Sequence, residues 1–185
     1  FSHQMLLIFG DSNVAGWRPD VPKLFKKNQT WPYLLQAMLG TTVKVDGQPG
    51  RALINSNLTD DINYFAQLFS SNPKTVIMMI GVNDLHSIES DKIIDTLNRY
   101  LSLCDECKKI FIPHPGVVYE KLPQMFQQFN TEFTKQNEKQ FCSKLSQINA
   151  QVVDLKGLDV LGEDGLHLSP EGHQILATRL FDLLK

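Results

Sequence analysis

The sequence is poor in cysteine, in net charge and in long apolar runs. It has three cysteines and a formal net charge of −2 in 185 residues. So few cysteines exclude a disulfide framework, and so small a charge gives no electrostatic footprint for nucleic acid or an anionic membrane. The longest apolar runs, TVIMMIG and MLLIFG, are far shorter than the roughly 20 residues of a membrane-spanning helix. We therefore expect no nucleic-acid binding and no membrane insertion.

Two of the cysteines, Cys104 and Cys107, have the C-x-x-C spacing of zinc and redox motifs. A zinc site needs two further ligands at motif spacing, and the sequence offers none. A redox pair should begin a helix after a strand, whereas Cys104 closes an apolar helical stripe. The pattern favours a structural role for both thiols.

The first residues, FSHQMLLIFG, contain neither a basic region nor a long apolar stretch. Because a secretory signal peptide needs both, the pattern favours a cytoplasmic protein, with a processed secreted form as the alternative. Met5 directly precedes an apolar run, and the origin of residues 1–4 stays open.

Short apolar runs alternate with amphipathic stretches along the chain. The predicted strands are MLLIF (5–9), VKV (43–45), TVIMMI (75–80), KIFI (109–112) and QVVDL (151–155). Three of these runs are nearly all apolar, as in strands buried on both faces of a parallel sheet. Strands alternating with helices predict an α/β protein with three layers, α/β/α, and a sheet of about five parallel strands. The length and the 42% hydrophobic content fit one domain over residues 1–185.

Apolar residues at helical spacing predict five helices. Their apolar stripes are Trp31–Leu39, Ile62–Phe69, Ile93–Cys104, Phe126–Phe141 and Ile175–Leu184. Gly40 supplies a stop for the first helix, and Thr59 or Asp60 supplies a cap for the second. The aromatic stripe of the fourth helix is expected in the core. Ser169 as N-cap and Pro170 at the first helical position define the start of the last helix.

Polar, glycine-rich segments follow each predicted strand. They are GDSN (10–13), GQPGRA (47–52), GVND (81–84), PHPG (113–116) and GEDGLH (162–167). The carboxyl ends of parallel strands meet at one edge of a sheet, and open α/β sheets bind ligands at that edge. We therefore expect these segments to form one site, with the irregular stretch 113–125 above it.

A histidine, a carboxylate and a serine in these segments form a candidate nucleophilic set. Asp164, three residues before His167, can reach the Nδ1–H of its ring and leave Nε2 free as a general base. Ser12 lies in a Gly-Asp-Ser turn after the first strand, a suitable place for the nucleophile. Taken singly, the first motif is more typical of a solvated histidine and the second of a helix-capping serine.

Attack on an ester carbonyl places negative charge on its oxygen, which neutral hydrogen-bond donors stabilise. Asn83 carries a side-chain NH₂ just after a buried strand, and Gly50 presents a backbone N–H without a Cβ in the way. Both segments are also compatible with ordinary turns.

Taken together and in this order, the four signals resemble the four sequence blocks of the SGNH, or GDSL-type, hydrolase family. The resemblance extends from residue 10 to residue 173. The G-x-S-x-G elbow of ordinary α/β-hydrolases is absent, because Asn13 and Val14 follow Ser12. The resemblance implies a flavodoxin-like sheet and a reaction that needs no metal or cofactor.

The resemblance also implies a role for each residue of the set. Ser12 is the expected nucleophile, His167 the base and later the acid, and Asp164 the carboxylate that orients His167. The expected oxyanion hole consists of the Ser12 and Gly50 amides and the Asn83 side chain. These roles describe a serine esterase whose partner is a small-molecule ester substrate. It would hydrolyse small acyl esters, namely acetyl or aryl esters or carbohydrate esters, through an acyl-enzyme.

Two details of the sequence bear on the branch of the family and on the substrate. The family commonly has an apolar residue where this chain has Asn13, which affects local packing or pocket shape. The stretch GQPGRAL is similar to a G-x-S-x-R-T stretch of bacterial SGNH arylesterases and carbohydrate acetyl esterases. The candidates for contact with substrate are Asp11, Arg51, Trp17 and His114. Arg51 is equally compatible with a surface pair to a nearby acid, and Trp31 is a weaker candidate because it fits an apolar helix face.

Three other functions stay open at this point. A lysophospholipase or thioesterase would use the same chemistry on longer acyl chains, with the apolar segment 117–129 as a cover. A metal-dependent hydrolase would use Asp11, Asp84, Asp164 and His167 as oxygen- and nitrogen-bearing ligands. A carbohydrate-binding or scaffold relative would have lost turnover.

Overall fold

The five strands of the protein form one parallel sheet. A computed structural model describes residues 5–185, so the question about residues 1–4 lies outside the described part of the chain. The strands are β1 Leu6–Gly10, β2 Val43–Gly47, β3 Thr75–Met79, β4 Lys108–Phe111 and β5 Gln151–Val152. Their order is β2-β1-β3-β4-β5, and all four pairings are parallel. The predicted number and direction of the strands are confirmed, but β5 covers only two of the five residues predicted for it, 151–155.

Helices cover both faces of this sheet. They are α1 Ser12–Ala15, α2 Trp31–Leu39, α3 Leu58–Leu68, α4 Ser90–Leu101, α5 Glu132–Ser143 and α6 Pro170–Leu184. Short 3₁₀ turns occur at 27–29, 69–71, 82–84, 119–121, 124–129 and 145–147. The predicted three-layer α/β/α architecture is confirmed.

The pleat of the central strands divides the core into two clusters. In β1, Leu7 and Phe9 point to the side of α3, α4 and α5, whereas Leu6 and Ile8 point to the side of α2 and α6. Successive side chains of a strand point to opposite faces, so a strand covered on both sides must be apolar throughout. All five residues of β1 are buried, which agrees with the apolar run that predicted a strand covered on both faces.

Local signals fix most helix ends. The Ser169 side chain accepts a hydrogen bond from the Gly172 N–H at the start of α6, and Pro170 occupies the first helical position. Gly40 ends α2 in the left-handed conformation, at φ +65°. The predicted cap of α3 was wrong, because the N-cap residue is Asn57, two residues before Thr59 and three before Asp60.

The predicted fourth helix over 126–141 was wrong as a single element. A 3₁₀ turn at 124–129 precedes α5, and the backbone of Thr131 between them is extended, at φ −129° and ψ 155°. The Thr131 side chain caps α5 by accepting from the Thr134 N–H, which starts a new helix. As a result the aromatic stripe is divided, and Phe133 is 47% exposed instead of lying in the core.

The three cysteines are free thiols. Cys104 is buried in the core beside α4, and this burial raises the pKa of its thiol to about 12. A thiol with such a pKa stays protonated at neutral pH, which agrees with the structural role predicted for it. Within residues 5–185, no helix is long and apolar enough to cross a membrane.

Candidate active site

The candidate site lies where the order of the strands reverses. The chain passes from β1 outwards to β2 and then returns to the other side of β1 to form β3. The loops after β1 and β3 therefore separate at the carboxyl edge and leave a crevice, the usual ligand site of such sheets. Gly10 permits the close approach of these two strands, since a Cβ there would lie 2.0 Å from the Met79 carbonyl oxygen.

Ser12 begins the single turn of α1 directly after β1. Asp11 is the N-cap residue of this turn, and its carboxylate accepts from the Asn13 N–H at 2.9 Å. The Ser12 hydroxyl is held at the crevice, and its Oγ lies 2.9 Å from Nε2 of His167. The structure thus brings together two residues that are 155 positions apart in the sequence.

The Asp164 carboxylate fixes both the ring and the backbone of His167. One oxygen, Oδ2, lies 2.5 Å from His167 Nδ1, and the other accepts from the Leu166 and His167 N–H groups at 2.9 Å each. Gly165 makes the tight turn between them at φ +68°. A proton on Nδ1 faces the carboxylate, so Nε2 is left to accept the Ser12 hydroxyl proton.

The Asn13 side chain joins the turn that carries Ser12 to the loop that carries His167. Its Nδ2 donates to the Leu166 carbonyl oxygen at 3.3 Å, and its Oδ1 accepts from the Leu168 N–H at 3.0 Å. These two backbone groups flank His167 on both sides. The sequence showed Asn13 only as a departure from the family. A polar residue at a position that is commonly apolar was the one sign that its side chain has a role of its own.

His114 supports the same loop. Its Nδ1 accepts from the Gly116 N–H at 3.2 Å, so Nε2 carries the proton and donates to the Leu166 carbonyl oxygen at 2.7 Å. Burial lowers the pKa of His114 to about 4, which keeps the ring neutral. Both ring nitrogens are engaged with backbone, so neither is directed at a substrate in this structure.

The three predicted oxyanion donors have different surroundings. The Asn83 Nδ2 donates to the Arg51 carbonyl oxygen at 3.0 Å, which orients the amide and leaves its second hydrogen available. Gly50 is exposed and has φ +79°, a conformation that favours glycine. Within residues 5–185, the amides of Ser12 and Gly50 have no hydrogen-bond acceptor.

Arg51 is paired with protein groups. Its guanidinium donates to the carbonyl oxygens of Gly10 and Asp46 at 3.0 Å, lies 2.8 Å from the Asp46 carboxylate and packs 4.3 Å from the Phe9 ring centre. This is the acid-paired alternative considered above. Arg51 thus holds the loop after β2 against the end of β1.

Aromatic rings lie beside His167. The ring centres of Trp17 and Phe126 are 6.5 Å and 5.4 Å from that of His167. Both line a small cavity of about 160 Å³ that also includes Pro123, Met125 and part of Asp164. Sequence analysis named Trp17 for this position but assigned Phe126 to the core. Trp31 is fully buried, with its Nε1–H donating to the Asn13 carbonyl oxygen, and it lies in the core as its helical spacing indicated.

Two carboxyl groups lie buried beneath the crevice. Burial raises the pKa of Asp11 to about 7 and that of Asp84 to about 6. The Asp84 oxygens accept from the Leu53 and Ile54 N–H groups at 2.9 Å, which holds the loop after β2. In the described part of the chain, no three His, Cys, Asp or Glu side chains converge as ligands for a metal ion.

The sequence from residue 8 to residue 175 matches the model of the GDSL-like Lipase/Acylhydrolase family. Fold and sequence together define the class: the protein is an acylhydrolase that cleaves carboxylic esters. The chain belongs to the GDSL-like lipase/acylhydrolase family, as the order of its sequence blocks predicted. No curated protein matches it in sequence.

Solved structures share this fold over nearly the whole chain. A carbohydrate acetylesterase family member from Sinorhizobium meliloti superposes with a TM-score of 0.81 at 14% identity, covering 98% of this chain and 97% of that one. A protein from Agrobacterium tumefaciens described as an arylesterase gives 0.70 at 18% identity, with 98% and 100% covered. A mutant of the acetylxylan esterase Axe2 from Geobacillus stearothermophilus gives 0.69 at 19% identity, with 98% and 94% covered. At such identities the likeness establishes the fold.

Proposed function

We propose that the protein is a serine esterase that hydrolyses small acyl esters through an acyl-enzyme, and that residues 1–185 form one catalytic domain. Ser12 is the nucleophile, His167 the general base and Asp164 the carboxylate that orients the imidazole. The observation that carries the proposal is the continuous chain of contacts Ser12–His167–Asp164, with distances of 2.9 Å and 2.5 Å.

The reaction follows from these contacts. His167 Nε2 takes the proton of Ser12 while Oγ attacks the ester carbonyl carbon, and the imidazolium faces the Asp164 carboxylate. His167 then gives this proton to the leaving alcohol, and the acyl group stays on Ser12. Water, activated by the same imidazole, releases the acid and restores the serine hydroxyl. No cofactor enters any of these steps.

Negative charge develops on the carbonyl oxygen during both halves of the reaction. The amides of Ser12 and Gly50 and the second hydrogen of the Asn83 amide are the donors we assign to it. Each such donor contributes on the order of 10²–10³ in rate. The hydrogen bond from Asn83 to the Arg51 carbonyl oxygen supports this assignment, because it orients the amide before substrate binds.

The aromatic rings beside His167 favour a small substrate group. Trp17 and Phe126 flank the imidazole, with ring centres 6.5 Å and 5.4 Å from its own, and they restrict the space at this end of the site. Structural neighbours described as acetyl esterases and as an arylesterase support the same preference, with carbohydrate or aryl esters as the substrate class.

Hydrolysis of p-nitrophenyl esters from acetate to decanoate, by wild type and by the Ser12→Ala variant, tests the proposal. We expect the highest kcat/KM at acetate and a loss of about 10⁴-fold or more in kcat for Ser12→Ala. The exposed Ser56→Ala variant is the matched control and should keep full activity. Activity retained in a folded Ser12→Ala protein would falsify the serine mechanism, and a maximum at long chains would replace the small-acyl substrate with a lipid or thioester.

A further inference from the structure

The turn after β2, residues 48–51, controls two of the donors assigned to the oxyanion hole. Gly50 supplies one N–H, and the Arg51 carbonyl oxygen accepts from the Asn83 side chain at 3.0 Å. The Arg51 N–H donates to the Gln48 carbonyl oxygen at 3.1 Å, which closes the turn. Gln48 and Gly50 are exposed, so packing in the core does not fix their position. A polar contact must therefore hold the turn in place.

The Arg51 side chain makes this contact. Its guanidinium donates to the carbonyl oxygens of Gly10 and Asp46 at 3.0 Å each, and it lies 2.8 Å from the Asp46 carboxylate. The ion pair is largely withdrawn from solvent, with the two side chains 15% and 17% exposed. Gly10 ends β1, directly before the turn that carries Ser12. One side chain therefore ties the turn 48–51 to the strand that brings the proposed nucleophile to the crevice.

A different group holds the downstream end of the same loop. The Asp84 carboxylate accepts from two consecutive N–H groups of the loop at 2.9 Å each, those of Leu53 and Ile54. Asp84 directly follows Asn83, so the two loops lock together at this end. The upstream end depends on the Arg51 guanidinium instead. Loss of this guanidinium should therefore displace the turn 48–51 while the rest of the loop stays anchored.

These contacts leave the guanidinium little capacity to bind a substrate. Its Nη1 donates to two carbonyl oxygens, and its Nη2 faces the Asp46 carboxylate and the Gln48 side-chain oxygen, the latter at 3.3 Å. Four of the five N–H groups of the arginine are thus directed at protein acceptors. One face of the group packs 4.3 Å from the centre of the Phe9 ring. Arg51 is better suited to hold its own backbone than to recognise a ligand.

We propose that Arg51 is a positioning residue that keeps the oxyanion hole in its reactive geometry. It acts through its backbone: the guanidinium fixes the turn, and the turn places the Gly50 N–H and the carbonyl oxygen that orients Asn83. Oxyanion donors are effective because they are preorganised and need no rearrangement during the reaction. The planar fork of arginine bonds several acceptors at once, whereas the ammonium group of lysine is a point charge. The role rests on the proposed function, since it serves the transition state of acyl transfer.

Steady-state hydrolysis of p-nitrophenyl acetate by Arg51→Met and Arg51→Lys tests this role. In Arg51→Met we expect kcat and kcat/KM to fall together by about 10- to 100-fold, with KM nearly unchanged, because a displaced oxyanion donor weakens only the transition state. Arg51→Lys keeps the charge beside Asp46 and should recover part of the loss.

Lys144→Met is the matched control for Arg51→Met. Lys144 lies 2.6 Å from the Asp91 carboxylate and 3.4 Å from the Ser90 hydroxyl, so it joins the end of α5 to the start of α4. The control variant also loses one cation and one ion pair between two elements. It should keep its kcat, because neither partner belongs to the loops that supply the oxyanion donors.

Hydrogen exchange of the Asn83 side-chain NH₂, followed by two-dimensional ¹H–¹⁵N NMR, gives a readout that does not depend on turnover. In wild type this group donates to the Arg51 carbonyl oxygen, which slows its exchange with solvent. Arg51→Met should accelerate the exchange about fivefold, the effect of one weakened hydrogen bond, and Lys144→Met should not. Asp46→Asn removes the carboxylate partner alone. It should show the same changes to a smaller extent, and it replaces Arg51→Met if that variant does not fold.

Four results overturn the proposal. The first two are a kcat within about threefold of wild type in folded Arg51→Met, and a raised KM with unchanged kcat, which would mark Arg51 as a substrate contact. The others are an equal loss of kcat in Lys144→Met, and unchanged exchange of the Asn83 amide. If wild type hydrolyses no ester, the proposed function fails, whereas the exchange measurement still decides whether Arg51 positions the amide.

Discussion

At the scale of single residues, the candidate site depends on polar side chains that hold backbone in place. Asn13 bonds to the residues on both sides of His167, and His114 donates to the carbonyl oxygen of one of them. These contacts hold the backbone on both sides of His167, and the Asp164 carboxylate holds its ring. Small displacements of a catalytic group have large effects on rate, so such positioning residues matter for turnover.

Replacement of Asn13 by the apolar residue common in the family tests its positioning role. We expect Asn13→Leu to lower kcat by about 10- to 100-fold with little change in KM, because His167 loses its alignment with Ser12 while substrate contacts remain. The measurement is steady-state kinetics with p-nitrophenyl acetate, together with urea unfolding of the same protein.

Asn137→Leu provides the matched control for this experiment. Asn137 is also buried, and it bonds to the backbone of Leu85, Ile88 and Ser90, not to the turn of Ser12 or the loop of His167. It should lose comparable stability and keep its kcat. If kcat falls equally in the two variants, Asn13 has only a structural role.

At the scale of elements, the loop that carries Asp164 and His167 is closed like a hairpin before α6. Leu161 and Leu168 form an isolated antiparallel bridge, and the Ser169 N–H donates to the Val160 carbonyl oxygen at 3.0 Å. The first turn of α6 packs directly on this closure. Gly172 permits the contact, since a Cβ there would lie 2.0 Å from the Val160 carbonyl oxygen.

Gly172→Ala should destabilise the protein although alanine is the better helix former. Alanine normally stabilises a helix interior by about 1 kcal/mol relative to glycine, but here the new methyl group meets backbone that has little room to move. We expect a net loss of about 1–3 kcal/mol in the free energy of unfolding, measured by urea denaturation. Thr178→Ala, on the exposed face of α6, should be neutral or slightly stabilising. Equal unfolding free energies for Gly172→Ala and wild type would contradict this prediction and would mean that α6 moves away from Val160 at no cost.

At the scale of the whole molecule, segments near both ends of the described chain meet. They supply Ser12 and His167 to the candidate site, and they pack together in the core cluster on one face of the sheet. Residues of α2 and α6 pack on the same face of the sheet, and His173 of α6 accepts from the Trp31 N–H at 3.0 Å. The second ring nitrogen of His173 is buried without a partner within residues 5–185. Burial lowers the pKa of His173 to about 4. Global stability is therefore linked to the protonation of an internal histidine.

This linkage predicts a loss of stability in acid. Between the unfolded pKa of about 6.5 and the folded pKa of about 4, the unfolded chain binds a proton at His173 that the folded chain does not. Lowering the pH through this window should therefore destabilise wild type, by on the order of 2–3 kcal/mol relative to His173→Asn. Asparagine retains an acceptor for the Trp31 N–H but does not titrate.

Urea unfolding of wild type and His173→Asn at pH 6.5 and pH 4 measures this difference. The comparison is needed because the raised pKa values of Asp11 and Asp84 act in the opposite direction over the same pH range. Both proteins share those carboxyl groups, so their contributions cancel. If the unfolding free energies of the two proteins change by the same amount between pH 6.5 and pH 4, His173 is not a buried, neutral residue in the folded protein.

The sequence by itself determined the sheet, most of the helices and the segments that approach the crevice. Buried parallel strands must be apolar throughout, and glycine, serine, asparagine and aspartate are typical of the turns at their carboxyl ends. Both features are local, so they can be recognised in the sequence. Only the tertiary structure decided how side chains far apart in sequence face one another. It divided the predicted 126–141 helix, brought Phe126 to His167, paired Arg51 with Asp46 and placed Asn13 across the loop of His167. These contacts depend on packing between elements that no local pattern records, because the same residue types occur equally well on solvated surfaces.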